Sequence, residues 1–400
     1  MKIDPLSYIE ISRKNLVYNI RQLKSLAKKE TKIAVVIKSN AYGHGQNEVA
    51  KILESYVDYF IINSVEELQL LRKVSKKKIF VLGYVQKKDL SQVMKLGCIL
   101  SVFSIEQMLT ISAIAKNVNK IQEIHLPIDA YLGREGFLEK ELPKVFKELK
   151  KCNHAKGRAG NIKLTGIYAH FANIEDTTSF THAQKQIDKY EKALKLAEKF
   201  GFKNLQTHIS ATSGLLVYEK NKGINSLVRL GIGVYGMWPS EHIKYLYSSA
   251  WAGKNKPIHL DKCVGKIELK PVLSWKTKIA QIKTLPTGST IGYGLTYMTR
   301  VPTKIAVIPQ GYADGLDRGL SNKGEVLIKG IRCKILGRIA MNMFVVNISH
   351  LKNVKAEDEV VLIGKQGSEE VTAEEMAGKI DTINYEITTR LSALSLRIIT

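Results

Sequence analysis

The chain predicts an α/β fold: a TIM (β/α)8 barrel followed by a mostly β C-terminal domain. Three observations carry the prediction. Eight short apolar runs rich in Ile, Val, Leu and aromatics recur through the first half, the intervals between most of them have a helical period, and beyond about residue 262 strand-like runs follow one another with little helical pattern.

The eight runs are IAVVI (33–37), YFIIN (59–63), IFVLG (79–83), ILSVF (99–103), EIHLPI (123–128), LTGIYAH (164–170), LQTHI (205–209) and VRLGIGVYG (228–236). GQNEVAKILES, SVEELQLLRKV, SIEQMLTISAIAKN and THAQKQIDKYEKALKLAEKFG between them repeat apolar residues at helical spacing. Continuous apolar strands alternating with amphipathic helices call for a parallel sheet covered by helices. Eight units over roughly 200 residues fit a barrel; a doubly wound sheet competes, and periodicity does not separate the two. Further on, VLSWKTKIAQIKTL, KIAVIPQG, GEVLIKGIRCKILGRI, MFVVNI and EVVLIG read as strands joined by Gly and Pro turns. The expected domains are 12–240 for the barrel and 241–400 for the β domain, with the strand at 7–11 a candidate to join the latter. Residues 240–262 show no clear period and read as a linker or excursion.

With 400 residues, 44% of them hydrophobic, the chain can bury a large core and exceeds most single domains. No apolar run follows the basic residues at the N-terminus and none approaches membrane-spanning length, so a cytoplasmic, soluble protein is expected, with no membrane partner. Cys98, Cys152, Cys263 and Cys333 lie far apart with no CxxC pair, which predicts reduced, structural cysteines and no metal site. The net charge of +24 raises nucleic acid as a partner. The lysines are instead scattered along solvated helix faces with no basic tail or basic-aromatic stripe, and nucleic-acid binding is discounted.

In a barrel the reactive residues sit where strands end, at the carboxyl face. The first strand ends in Lys38, within VIKSNAYGHG. There the amine would enter the barrel mouth, where desolvation lowers its pKa and makes it a nucleophile towards an aldehyde. Gly43 and Gly45 allow a tight turn, and Tyr42 offers a hydroxyl. Taken alone, Lys38 reads equally as a lysine snorkelling from a strand end. It has company: PIDAYLGREG after the fifth strand brings Arg134, the sixth strand ends in His170, the seventh in HISATSG (His208, Thr212, Ser213), and the eighth carries Arg229, Gly231 and Gly233. Glycine-rich backbone after a late barrel strand is a customary phosphate cradle.

VIKSNAYGHG, PIDAYLGREG, VRLGIGVYG, STIGYGLTY, PQGYADGLDR, GRIAMNMFVV and TINYEITTRLSAL, in that order, resemble segments of the alanine racemase family, pyridoxal-phosphate enzymes built from a barrel and a β domain. The resemblance runs from about residue 7 to 395. It implies that Lys38 holds pyridoxal 5'-phosphate and moves the Cα proton on one face of a small amino-acid substrate. Tyr293 would serve the other face, contributed by the second subunit of a homodimer. Two opposed bases are what inversion requires, since one alone returns the proton to the side it left. A phenol titrates near about 10, high for a base at neutral pH, and His170 matches the family residue that hydrogen-bonds this tyrosine. Arg229 would face the pyridine nitrogen; a guanidinium keeps its protons, so that nitrogen stays unprotonated and the ring is a weaker electron sink, which favours racemisation over transamination. The phosphate would meet Tyr42, Gly231, Ile232, Thr212 or Ser213, and Tyr385. Arg134 would contact the phenolic oxygen, and the Met341 amide the substrate carboxylate. Tyr312, Arg318 and Arg338 match residues of the family's access channel, with Glu175 or Asp176 as acidic partner; an ordinary salt-bridge network reads them equally well.

The sequence departs from the family in three places. Pro127 stands where many members carry a carbamylated lysine that positions the arginine, so Arg134 needs another support, an anion or a neutral neighbour. Asn342 replaces a usual aspartate, and Ala211 and Thr212 replace an asparagine-serine pair. The expected function is interconversion of L-alanine and D-alanine, the latter for peptidoglycan. A broad-specificity racemase acting on serine, lysine or others is the alternative. A non-catalytic cofactor-binding protein is a third reading, against which the β domain and Tyr293 discriminate.

Overall fold

The computed structural model describes residues 5–153, 161–177, 179–217, 225–247 and 267–400. The chain divides into two compact units, one made of Val17–Lys38 and Ala50–Leu269, the other of Met1–Leu16, Ser39–Val49 and Lys270–Thr400.

After β1 (Tyr8–Ile11), which belongs to the second unit, come the strands of the first: β2 (Lys32–Val36), β3 (Tyr59–Ile62), β4 (Lys78–Val81), β5 (Ile99–Ser101), β6 (Gln122–Pro127), β7 (Ile162–Tyr168), β8 (Gln206–His208) and β9 (Leu227–Leu230). All their pairings are parallel, in the order β8-β7-β6-β5-β4-β3-β2-β9. The two end strands are joined by hydrogen bonds from Ser226 N to Thr207 O (2.9 Å) and from Arg229 N to Ser210 O (3.1 Å), which close the ring. Chain order runs round it without the reversal a doubly wound sheet requires, so the barrel is the arrangement adopted and each of the eight expected strands is present. The strands are apolar on both faces because both are covered: Tyr59, Phe60, Ile61 and Ile62 of β3 are all buried. The helices start where the sequence caps them. Ser64 and Glu67 form a capping box, and Ser104 accepts from Gln107 N at 3.1 Å.

The eighth expected run is a strand only as far as Leu230. Gly231 turns the chain (φ −119°, ψ −110°), Ile232–Tyr235 form a 3-10 turn, and Gly236 ends it at φ +81°. Residues Glu241–Tyr247 of the expected linker are helical, and 248–266, with Cys263, lie outside the described residues. The other three cysteines are free thiols.

The second unit is a mostly antiparallel sheet. Its further strands are β10 (Leu273–Lys278), β11 (Gln281–Leu285), β12 (Thr290–Ile291), β13 (Tyr297–Met298), β14 (Thr303–Ile308), β15 (Glu325–Ile328), β16 (Ile331–Leu336), β17 (Phe344–Asn347), β18 (Glu359–Gln366), β19 (Glu369–Val371) and β20 (Leu396–Ile399). The main order is β11-β14-β17-β16-β15-β18-β10-β1-β20, and β12 pairs with β13 in a hairpin. The N-terminal strand lies between β10, antiparallel, and β20, parallel. Helices Ala373–Lys379 and Asn384–Thr389 lie between β19 and β20. Among the described residues no helix is long and apolar enough to cross a membrane.

Candidate active site

Lys38 follows the first barrel strand and is half-buried. The four residues after it, Ser39, Asn40, Ala41 and Tyr42, all have φ between +52° and +54°, a left-handed turn made without glycine. An L-residue there costs roughly 1–2 kcal/mol, so the turn persists only because local bonds hold it. Gly45 N donates to Asn40 O (2.9 Å), Gln46 N to Asn40 Oδ1 (2.9 Å), and buried His44 donates from Nδ1 to the carbonyls of Ala41 (3.1 Å) and Tyr42 (3.0 Å). Arg397 on β20 donates to Gly43 O from Nε (3.2 Å) and a terminal nitrogen (2.9 Å). Gly43 allows a close approach: at φ +85°, a Cβ there would lie 1.9 Å from Thr388 O. The same segment sets the Tyr42 ring 5.9 Å from that of Tyr385.

The barrel strands gather charge around the lysine. Burial lowers the Lys38 pKa, Arg134 lowers it further, and Glu67 and Glu135 oppose them. Arg134 lies after β6, its guanidinium on the Glu135 carboxylate through two bonds of 2.5 and 2.9 Å. The residue after Arg134 therefore supplies an anion on the loop where Pro127 offers none. Burial pushes His170 down to about 3, aided by Arg229, Arg134 and Lys38.

Arg229 is 4% exposed, and every bond it makes is to an acceptor: His208 Nδ1 (2.6 Å) and O (2.8 Å), Ala169 O (2.8 Å), His170 Nδ1 (3.2 Å) and Ile209 O (3.3 Å). Burial lowers its pKa to about 10, so it remains a cation at neutral pH. No carboxylate touches it through these bonds; Glu135 acts on its charge only from a distance, favouring the cation.

Next to it, the Thr212 hydroxyl accepts from Gly231 N at 3.1 Å, and a Cβ on Gly233 would meet Thr212 Cγ2 at 2.6 Å, which makes glycine necessary for the turn to close on the threonine. Ser213 points elsewhere: it donates to Glu175 Oε1 at 2.6 Å. Burial raises the Glu175 pKa, the Ser213 bond lowers it, and Asp176 raises it again. Of the two hydroxyls the sequence left open, Thr212 is the one joined to the glycine turn. His170, Glu175, Asp176, Ala211 and Ser213 line a cavity of about 200 Å³.

In the β unit, Gly311 and Gly294 bring three loops together. A Cβ on Gly311 would lie 2.2 Å from Ala340 O and 2.3 Å from Met341 O, and one on Gly294 would lie 2.6 Å from an Arg338 terminal nitrogen. Tyr293, Tyr312, Arg338 and Met341 are thus drawn together. Tyr312 and Arg318 also line a cavity of about 640 Å³ with Asp317 and Arg390, which form an ion pair. Asn342 Nδ2 reaches Asp314 at 3.5 Å. Tyr293, Leu295, Met298, Val301, Met341 and Met343 are all more than half exposed, Tyr293 by 74%.

Sequence reasoning did not find Glu135, Glu67, His125 or Arg397. Only Glu135 carried a signal, a carboxylate beside an arginine already singled out; the others depend on contacts between distant segments.

Fold and site together define a two-unit α/β-barrel protein whose barrel mouth gathers a lysine, two arginines and a histidine beside a glycine turn. Residues 11–239 match the family described as "Alanine racemase, N-terminal domain", and 272–399 match "Alanine racemase, C-terminal domain". The chain belongs to the alanine racemase family. It is 34% identical to a Leptospira interrogans alanine racemase over 100% of this chain and 97% of that one, and 32% identical to alanine racemase 2 of Caldanaerobacter subterraneus over 95% and 91%. Among solved structures, the Clostridium difficile alanine racemase superposes with a TM-score of 0.86 at 32% identity, covering 100% of this chain and 97% of that one. The Bacillus anthracis enzyme with bound L-Ala-P gives 0.87 at 29%, covering 100% and 96%.

Proposed function

We propose that this chain is a cytoplasmic, pyridoxal-phosphate-dependent racemase that interconverts L-alanine and D-alanine as a homodimer. The observation that carries the reading is Arg229, a buried cation bonded only to neutral acceptors at the barrel end that also bears Lys38. The donor set suits pyridoxal phosphate: a desolvated amine for its aldehyde, a glycine turn closed on the Thr212 hydroxyl for its phosphate, and a guanidinium for its ring nitrogen. Bound, the cofactor supplies the aldehyde that captures an amino acid and a ring that acidifies its Cα–H.

The chain's own residues do the rest. Lys38 holds the cofactor and, through Nζ, takes or returns the Cα proton on one face; its lowered pKa leaves more free amine at neutral pH. Tyr293 Oη of a second copy serves the other face, and its exposure in its own chain supports that assignment. Arg229, a guanidinium that keeps its protons, would leave the ring nitrogen unprotonated and so limit misplaced protonation of the substrate. Thr212, Gly231, Ile232, Tyr42 and Tyr385 bind the phosphate, and Ser213 holds Glu175. Arg134, backed by Glu135, meets the phenolic oxygen, and Met341 the substrate carboxylate.

The holoenzyme is expected to show a visible absorbance band that disappears in Lys38→Ala, and to form D-alanine from L-alanine. In deuterated solvent Tyr293→Phe is expected to slow exchange unequally in the two directions. Equal slowing removes the two-base assignment; racemisation of another amino acid but not alanine removes the substrate.

A further inference from the structure

A line of buried polar side chains runs from Arg229 across β8 to β6. His208 and His125 have no exposed surface, and Arg229, Tyr168 and Ser101 are at most 4% exposed. Tyr168 stacks on His208 (5.0 Å, 5°) and shares a 2.6 Å hydrogen bond with Ser101. Between His208 Nε2 and His125 Nδ1 the distance is 2.9 Å.

Hydrogen-bond chemistry assigns the imidazole protons along this line. A guanidinium only donates, so His208 Nδ1 accepts from Arg229 and the His208 proton sits on Nε2. That N–H donates to His125 Nδ1, which puts the His125 proton on its own Nε2. This last atom is buried and has no partner among the described residues. Gly166 makes room for it, since a Cβ there would lie 2.6 Å from the nitrogen.

An unpaired buried N–H is costly, and leucine at 125 would avoid the cost. It would also leave His208 Nε2–H without an acceptor. The other His208 tautomer would then relieve Nε2, but it would set Nδ1–H against the Arg229 N–H, two donors face to face. One lone pair on His125 prevents this.

We propose that His125 is a positioning residue for Arg229: by accepting the His208 Nε2 proton it holds His208 as a neutral acceptor, and so sets how the guanidinium is presented at the barrel mouth. Burial keeps the line neutral, with His125 pushed down to about 3 and His208 well below its usual value. The inference rests on the reading of Arg229 given above, but its first test does not.

Holoenzyme labelled with 15N-histidine, assigned through His125→Gln and His208→Gln, is expected to show both rings neutral with the proton on Nε2. An Nδ1–H tautomer or an imidazolium at either ring overturns the proposal, whatever the enzyme racemises. The second test compares His125→Leu, which cannot accept, with His125→Gln, whose amide oxygen can. Leucine is expected to lower kcat about tenfold with little change in KM, and to alter the His208 15N shifts; glutamine restores both. Wild-type kcat in the leucine variant, or equal loss in the two, sinks the idea. If both variants fold poorly, the wild-type tautomers still decide.

Discussion

Replacing Gly43 by alanine tests whether the left-handed turn after Lys38 is held by close packing or only by local bonds. Two penalties add. At φ +85° an alanine pays roughly 1–2 kcal/mol for its backbone alone. Its Cβ would also lie 1.9 Å from Thr388 O, well inside contact distance, so the turn or the helix Asn384–Thr389 must move. Overpacking of this kind costs about 1–3 kcal/mol, for a total near 2–5 kcal/mol. Gly288 is the control, in the same unit at φ +81° with nothing within 4 Å of a built Cβ, so Gly288→Ala should pay the backbone part alone. The assay is chemical unfolding of the cofactor-free protein, followed by cofactor titration, because either movement separates Tyr42 from Tyr385. Equal destabilisation by the two substitutions would refute the packing argument. So would unaltered cofactor affinity in Gly43→Ala, for the functional half.

Acid should unfold the protein early. His44 is lowered to about 4, His125 and His170 to about 3, and His208 well below its usual value, burial being the first cause in each. Below about 6.5 the unfolded chain binds protons that the folded chain refuses, so stability falls as pH drops through that window; denaturant midpoints that stay level from pH 7 to pH 4.5 would contradict it. Glu135→Gln removes the anion from Arg134. The pair is half-exposed (56% and 31%), so stability should change by less than about 1 kcal/mol, while KM for alanine rises roughly two- to fivefold in initial-rate assays. An unchanged KM would mean that Arg134 is held by something else.

Much of the barrel was legible because its signal is local. Most strands are runs of residues largely buried on both faces, and capping residues such as Ser64 and Ser104 mark helix starts within a few positions. The glycines at 231 and 233 were equally visible, although the sequence could not show that the strand stops at Leu230 and a 3-10 turn takes over. The left-handed turn was not legible at all. Ser39, Asn40, Ala41 and Tyr42 have no shared preference for positive φ, and the glycines that drew attention come after them.

By itself, the sequence determined the eight-strand pattern, the change of texture into the β unit, and the side chains that the strand ends present: Lys38, Arg134, His170 and Arg229. These follow from periodicity and chain order, which act over a few residues. Only the tertiary structure decided that Ser213 turns to Glu175 rather than to the glycine turn, and that Arg397, 354 residues along the chain from Gly43, clamps it. It also decided the proton positions from Arg229 to His125. Hydrogen bonds across such separations depend on which strands become neighbours, and the direction of each bond is set only when donor meets acceptor.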